Sequence, residues 1–341
     1  MKRFIFAAIL FCSLTSMAQN SLADGQSALV YSLPKTKLCV EVEIEKTTRK
    51  PGIFYRYSER YLATTNVITA EKTEYKLKSV NIVPIAVPDS SRTYKITPDA
   101  KSQLSHITVT PEGLLCGVNV PVVNEKKMII NKIITKNDGL NAGLLPLGEE
   151  YMMAGSEAKM AEGAAKQIYR VRESRLSLLT ADVEKMPADG ASLKTMLEGL
   201  DRMERQLTEL FTGSVTTDVQ TQKLYITPAS AASNDLVFRL SALRGLVAAD
   251  DMSGAPYYIT IKPQTIPMNA ADAKAKAEPV GIYYSIPAST DVVVTDGINT
   301  ITKVNVLIPQ FGKVVPLPAS LFRSEKVKVI IDPQTGRLLQ F

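Results

Sequence analysis

Tryptophan is absent from the 341 residues, and histidine occurs once, at His106. A Ser-His-Asp triad, a Cys-His pair or a His-based zinc site would have to be built on that single side chain. His106 stands in Ser105-His106-Ile107-Thr108, a strand-like run with no HExxH neighbour, and reads as a strand-face residue. The missing Trp weakens any sugar-stacking platform. Glycine loops of the Gly-x-x-x-x-Gly-Lys-Ser/Thr or Gly-x-Gly-x-x-Gly type are also missing, so phosphate cradling has no support. Beyond the N-terminal leader no run approaches the ~18 apolar residues that a spanning helix needs.

Cysteine is scarce. Cys12 lies in the leader and lacks the small preceding residue of a lipid-attachment site, because Phe11 stands there. Cys39 and Cys116 remain, and an even count permits one disulfide in an oxidising compartment. The alternative is two half-buried thiols in separate strands, since spacing alone does not show Cβ proximity.

The first eighteen residues are the most informative part of what is present. Lys2 and Arg3 precede an apolar run from Phe4 to Leu14, and Ser16-Met17-Ala18 is a small-x-small cleavage site before Gln19. This is the pattern of a secretory signal peptide, and it predicts a periplasmic or secreted protein after cleavage near Ala18. Loss of Lys2 and Arg3 lowers the formal charge from +6 to +4. The cations are scattered, so no nucleic-acid partner is read, and Lys126-Lys127 is an ordinary solvated pair. A composition of 45% hydrophobic and 22% charged residues belongs to the globular class.

The periodicity predicts an α+β fold with two mainly antiparallel, sandwich-like β parts bracketing an antiparallel helical hairpin. The segments are a signal peptide over 1–18, an N-terminal β domain over 19–148, the hairpin over 149–213 and a C-terminal β domain over 214–341. Leu38, Val40, Val42 and Ile44 alternate with Cys39, Glu41, Glu43 and Glu45, the period of a half-buried strand whose glutamates face solvent. Tyr75 to Ile82 alternates likewise, and Pro84, Pro88, Pro98 and Pro121 punctuate strands and loops. Pro111-Glu112-Gly113, Asp296-Gly297 and Asp332-Pro333-Gln334-Thr335-Gly336 are turn signals between strand-like runs. Asn269 to Glu278 reads as a polar linker. There is an internal echo: Tyr31-Ser32-Leu33-Pro34 and Tyr284-Ser285-Ile286-Pro287 each precede a Val-rich strand.

In the hairpin, Leu193, Met196, Leu200, Met203, Leu207 and Leu210 fall on a and d heptad positions, with Asp189 or Ser192 able to cap the start and Gly213 following the end. The first helix, from about Ser156 to Val183, carries an apolar face of Ala161, Ala164, Ile168, Val171, Leu178, Leu179 and Val183. Met186 to Gly190 is the turn. Arg175 falls near the centre of that apolar arc and Arg172 at its edge. An unpaired charge there is costly, so Arg175 is expected to be mostly buried against a carboxylate such as Glu204, or to line an anion pocket.

Candidate chemistry is thin. Ser-x-x-Lys at Ser32–Lys35 and Ser156–Lys159 lacks the Lys-Thr-Gly partner of penicillin-binding enzymes, and chance explains both. Asp250-Asp251 with Gly254 lacks a calcium ligand ladder and reads as a turn. The densest aromatic–cationic segment holds Tyr55, Arg56, Tyr57, Arg60 and Tyr61, whose planes can stack on sugars or peptides. Its alternative is an amphipathic segment with Tyr half in the core and Arg at the rim. The terminal Phe341 is a barrel-like end, but the hairpin and the prolines speak against a barrel. No catalytic residue, metal site or cofactor is assigned.

Several segments together resemble an uncharacterised domain-of-unknown-function family of secreted Bacteroidetes proteins. They are Tyr31-Ser-Leu-Pro-Lys-Thr36, Lys50-Pro-Gly52 running into Tyr57-Ser-Glu-Arg-Tyr-Leu62, Ile168-Tyr-Arg-Val-Arg-Glu-Ser-Arg-Leu176 and Ile331-Asp-Pro-Gln-Thr-Gly336. The resemblance spans nearly the whole chain after the leader. It implies a periplasmic or surface protein and brings no catalytic residue to carry over. The expected role is a binding or scaffold protein of the cell envelope, with an envelope protein or a glycan as partner. The alternative is a hydrolase acting on glycan or peptide through carboxylates that the sequence does not single out.

Overall fold

The computed structural model describes residues 29–96, 107–119, 147–184, 189–264, 282–317 and 327–340. The leader, His106, Lys126-Lys127, Met186-Pro187-Ala188, Asn269 to Glu278 and Phe341 lie outside the described residues. The fold is α+β, with antiparallel sheets and a helical hairpin. Its strands are β1 (Leu29–Lys50), β2 (Lys72–Ile96), β3 (Ile107–Val109), β4 (Leu115–Val118), β5 (Ser214–Ile226), β6 (Ala232–Ser241), β7 (Gly245–Val247), β8 (Ala255–Pro263), β9 (Tyr283–Thr295), β10 (Thr300–Pro316), β11 (Val329–Ile331) and β12 (Leu338–Gln340). A 3-10 turn (Tyr55–Tyr57) leads into α1 (Ser58–Leu62); α2 (Glu149–Met152) precedes the two long helices, α3 (Glu157–Leu179) and α4 (Gly190–Thr212).

Three sheets result, in the orders β2-β1-β5, β10-β9-β8-β6-β7 and β12-β11-β4-β3. The first two face each other. Leu38, Val40, Val42 and Ile44 of β1 and Val80 and Ile82 of β2 meet Phe238, Leu240, Ile259, Ile261, Val292 and Val294. A second core joins Leu29, Tyr31 and Leu33 to Ile107, Leu115, Val118, Ile282, Val329 and Ile331. Both cores therefore draw on both β parts, and β1 pairs with β5 across the hairpin that separates them in sequence.

The internal echo has a structural meaning. Leu29, Tyr31 and Leu33 are buried at odd positions of β1, whereas Thr36, Leu38, Val40 and Val42 are buried at even ones. A strand with period 2 changes its buried face only where its register breaks. The break falls at Pro34: β1 moves from the Ser32–Thr93 pair to Pro34–Pro88, leaving four residues of β2, 89–92, opposite one. β9 repeats the device. Ser285 and Pro287 are buried, then Ala288, Thr290, Val292 and Val294, and residues 309–312 of β10 bulge at the switch. Each switch also receives a hairpin turn. Ser32 N donates to Gly113 O at 2.9 Å, and Ser285 N donates to Gly336 O at 2.8 Å. Both glycines have positive φ, 88° and 68°, which suits a residue without Cβ.

The two bulges interlock. The Arg92 guanidinium donates to Pro309 O (3.1 Å) and Gln310 O (3.2 Å). The Gln310 amide accepts from Thr36 N (2.9 Å) and donates to Thr36 O (2.8 Å). Burial works against the Asp89 carboxylate in this turn, but hydrogen bonds from Ser91 and the nearby Lys35 and Arg92 outweigh it and hold its pKa below the usual range. Tyr31 completes the junction. Its hydroxyl accepts from Tyr283 N at 2.7 Å and donates to Tyr283 O at 3.3 Å, and its ring is 1% exposed. Tyr31→Phe removes both bonds while keeping the packing. It is expected to lower stability by about 1–3 kcal/mol, read by urea unfolding.

Pro84 and Pro88 lie inside β2. An edge strand tolerates them because one side of its backbone makes no ladder bonds. Cys39 and Cys116 are not bridged. Cys39 sits in β1, with Val83 and Tyr225 beside it, and Cys116 sits in β4 of a different sheet. Two thiols in separate strands is the arrangement found.

Candidate functional site

The hairpin stands on a collar formed by residues 51–71. Asp189 caps α4 by accepting from Ser192 N at 2.6 Å, and Ser156 caps α3 by accepting from Lys159 N at 3.4 Å. α4 ends at Gly213 (φ 88°), from which the chain enters β5 directly. Phe54 N donates to Leu210 O at 2.8 Å, and the Ser58 hydroxyl is 3.0 Å from Phe211 O. Gly52 is packed so close to α4 that a Cβ there would lie 2.3 Å from Leu210 O. A third core fills this base: Phe54, Ala161, Ala164, Ala165, Ile168, Val171, Leu207, Leu210 and Phe211.

The aromatic–cationic segment is this collar. Tyr57 and Tyr61 pack against the base, and the Tyr61 hydroxyl donates to Ala158 O at 3.3 Å. Arg56 donates to the Tyr55 hydroxyl at 3.1 Å, and Arg60 lies over the Tyr61 ring at 5.3 Å. Tyr55 is half-buried and Arg56 and Arg60 are exposed, so rings face inward and guanidiniums stand at the rim. Tyr169 links collar to hairpin: its hydroxyl donates to Tyr61 O at 2.8 Å, and Arg172 lies over its ring at 5.6 Å. Tyr61 and Arg172 are thereby brought together around Tyr169.

Arg175 and Arg172 meet one carboxylate. Arg172 Nε is 2.6 Å from Glu204 Oε1, and Arg175 is 3.0 Å from Asp201 and 3.7 Å from Glu204. The expectation of a mostly buried Arg175 is corrected, because its side chain is 43% exposed. The cause is the shape of the hairpin. The alanine-rich start of α3 is buried against Leu207 and Phe211, whereas towards the tip Leu200 and Met203 are half-buried and Met196, Leu176 and Leu179 are exposed. A helical wheel assumes that the whole arc is covered, whereas near the tip Leu178 is buried but Leu176, Leu179 and Met196 stay exposed. Arg175→Met and Arg175→Ala should therefore both change stability by less than about 1 kcal/mol, as half-exposed ion pairs do. Thermal unfolding of the two variants checks this.

Two shallow hollows flank the hairpin. One, beside Arg172 and Arg175, also holds Arg202, Arg205 and Glu209. Burial pushes the Glu209 carboxyl up, and Arg205 opposes it weakly. Arg202, Arg205 and Glu209 recur at i, i+3 and i+7 on α4. That spacing was readable, although an apolar seam draws attention to the other face. The second hollow has a floor of Leu178, Met196, Leu200 and Met203, with Glu173 and Asp182 at its rim. The serines of the Ser-x-x-Lys pairs are otherwise engaged: Ser32 with Thr93 at 2.9 Å, and Ser156 as a helix cap. Asp251 is held by Arg244 and Ser253, as a turn residue. No group of metal-ligating side chains occurs among the described residues, and no described helix is long and apolar enough to cross a membrane.

Together these features define an α+β protein of antiparallel sheets carrying a collared helical hairpin. A protein-family model described as a domain of unknown function, DUF4831, matches residues 27–339, and the chain belongs to that family. No curated protein and no solved structure matches the chain.

Proposed function

We propose that the protein is a binding or scaffold component of the bacterial cell envelope, exported by its leader, with the helical hairpin as its contact arm. The signal-peptide pattern of residues 1–18 and the resemblance to secreted Bacteroidetes proteins support the location. The observation that carries the role is the division within the hairpin. Its base is locked by Phe54, Leu207 and Phe211, while its tip leaves Met196, Leu176 and Leu179 exposed. A rigid stem with an apolar, methionine-containing end suits contact with a partner. The hydrolase alternative calls for a pair of carboxylates with raised pKa values in a deep cleft. Among the described residues Glu209 is the one carboxylate pushed up, and its hollow is shallow.

The test combines fractionation with capture. The chain expressed with its leader should appear in the envelope fraction with Gln19 as its first residue. The mature protein should retain an envelope partner that Met196→Asp with Leu200→Asp loses. Cytoplasmic retention would refute the location. Capture indifferent to the hairpin variants would refute the role of the arm.

A further inference from the structure

We infer that β5 pairs with the β5 of a second copy of this chain, joining two three-stranded sheets edge to edge. Among the described residues β5 is an edge strand, hydrogen-bonded on one side to β1 alone. Natural edges are blunted by proline, bulges, short length or charge. The other described edges follow that rule. β2 carries Pro84, Pro88 and a four-residue bulge, β10 carries the 309–312 bulge, and β3, β7 and β12 have three residues each. Apart from the charges Asp218 and Lys223, β5 has none of these devices. It runs for 13 residues without Pro or Gly, and its register with β1 is unbroken from Leu38–Ile226 to Lys50–Ser214. Its one cation, Lys223, is tied to Glu41 at 2.9 Å instead of guarding the edge.

The strand is also complementary to itself. A two-fold axis through an antiparallel pair keeps every side chain on its own face, so residues facing across it must share parity. With Gln220 on the axis, Val215 lies opposite Tyr225 of the second copy, and the contact occurs twice. These are the two large hydrophobics that β5 exposes, at 56% and 54%, both on the face away from the core. A β-branched residue opposite an aromatic is a favourable cross-strand pair. Asp218 then lies opposite Gln222, Thr217 opposite Lys223, and no like charges oppose. Moving the axis to Val219 or Thr221 sets Lys223 against Val215 or Val219 and separates the Val–Tyr pairs, which selects the Gln220 register.

The mature protein is expected to sediment with twice the mass of one chain. Gln220→Lys places two ammonium groups across the axis and should give a monomer with unchanged circular dichroism. Gln220→Cys brings the same residue of both copies face to face and should yield a disulfide-linked dimer on mild oxidation, while the parent protein with its own Cys39 and Cys116 does not. A wild-type monomer would overturn the inference, the edge then being covered by another segment or another partner. A dimer that survives Gln220→Lys, or one that fails to cross-link through Gln220→Cys, would overturn it equally by placing the interface elsewhere.

Discussion

Gly312→Ala is expected to destabilise the protein by about 3 kcal/mol or more, the upper range for overpacking against groups that cannot move aside. A Cβ at this position would stand 1.9 Å from Ile286 O, 2.8 Å from Ile286 C and 2.9 Å from Pro287 Cα. All three are backbone atoms of β9 at the point where that strand changes its buried face. Relief requires moving β10 outward. That movement would pull Pro309 O and Gln310 O from Arg92, and the Gln310 amide from Thr36. The effect thus reaches the first bulge through the second. Gly113→Ala is the control: its φ of 88° is strained for alanine, but no atom lies within 4 Å of the added Cβ. It should cost only about 1–2 kcal/mol. Equal losses for the two variants in urea unfolding would show that the bulge yields, and that its interlock matters little.

What was legible in the sequence divides along physical lines. The run from Leu38 to Glu45 reads as a strand because one face is buried throughout, so period 2 survives intact. The earlier part of the same strand is hidden because Tyr31 and Leu33 bury the opposite parity, and a single-period reading stops at Pro34. The tetrapeptide echo was visible, but its meaning was not. Only the pairing shows that both copies mark a register break facing four extra residues. Likewise β2 runs through two prolines because it is an edge, and edge position is a property of the assembled sheet.

The helices were read more fully, since caps and heptads are local. Asp189 and Gly213 act where the sequence places them, and the first helix starts beside Ser156 as expected but ends at Leu179, short of Val183. The tertiary part failed at the tip: the pattern from Leu193 to Leu210 is uniform, yet burial declines from Phe211 to Met196. Arg175 was identified as an ion-pairing residue and finds Glu204, with Asp201 as a nearer partner, but its exposure depends on that decline. The collar was the ambiguous case. Tyr and Arg planes are alike in a binding surface and in an amphipathic clamp, and here Tyr57 and Tyr61 rest on the hairpin base.

Phe211→Ala is expected to cost about 3–5 kcal/mol, as for a fully buried phenylalanine, and to spend that loss on the hairpin. Phe211 is 0% exposed, packs 5.5 Å from the Phe54 ring, and stands one residue after Leu210, whose carbonyl accepts from Phe54 N. Its own carbonyl accepts from Ser58. The side chain therefore joins α4 to the collar from both directions. The core it belongs to shares no residue with the two sheet cores. Elements stabilised by separate clusters can open separately. Amides of α3, α4 and the collar should then exchange with solvent faster in the variant, by about two to four powers of ten if the whole loss appears as local opening. Amides of β1, β8 and β9 should keep their protection. Equal loss of protection in hairpin and sheets would show instead that the chain unfolds as one unit, and that the junction at Gly213 transmits the strain of the emptied base into β5.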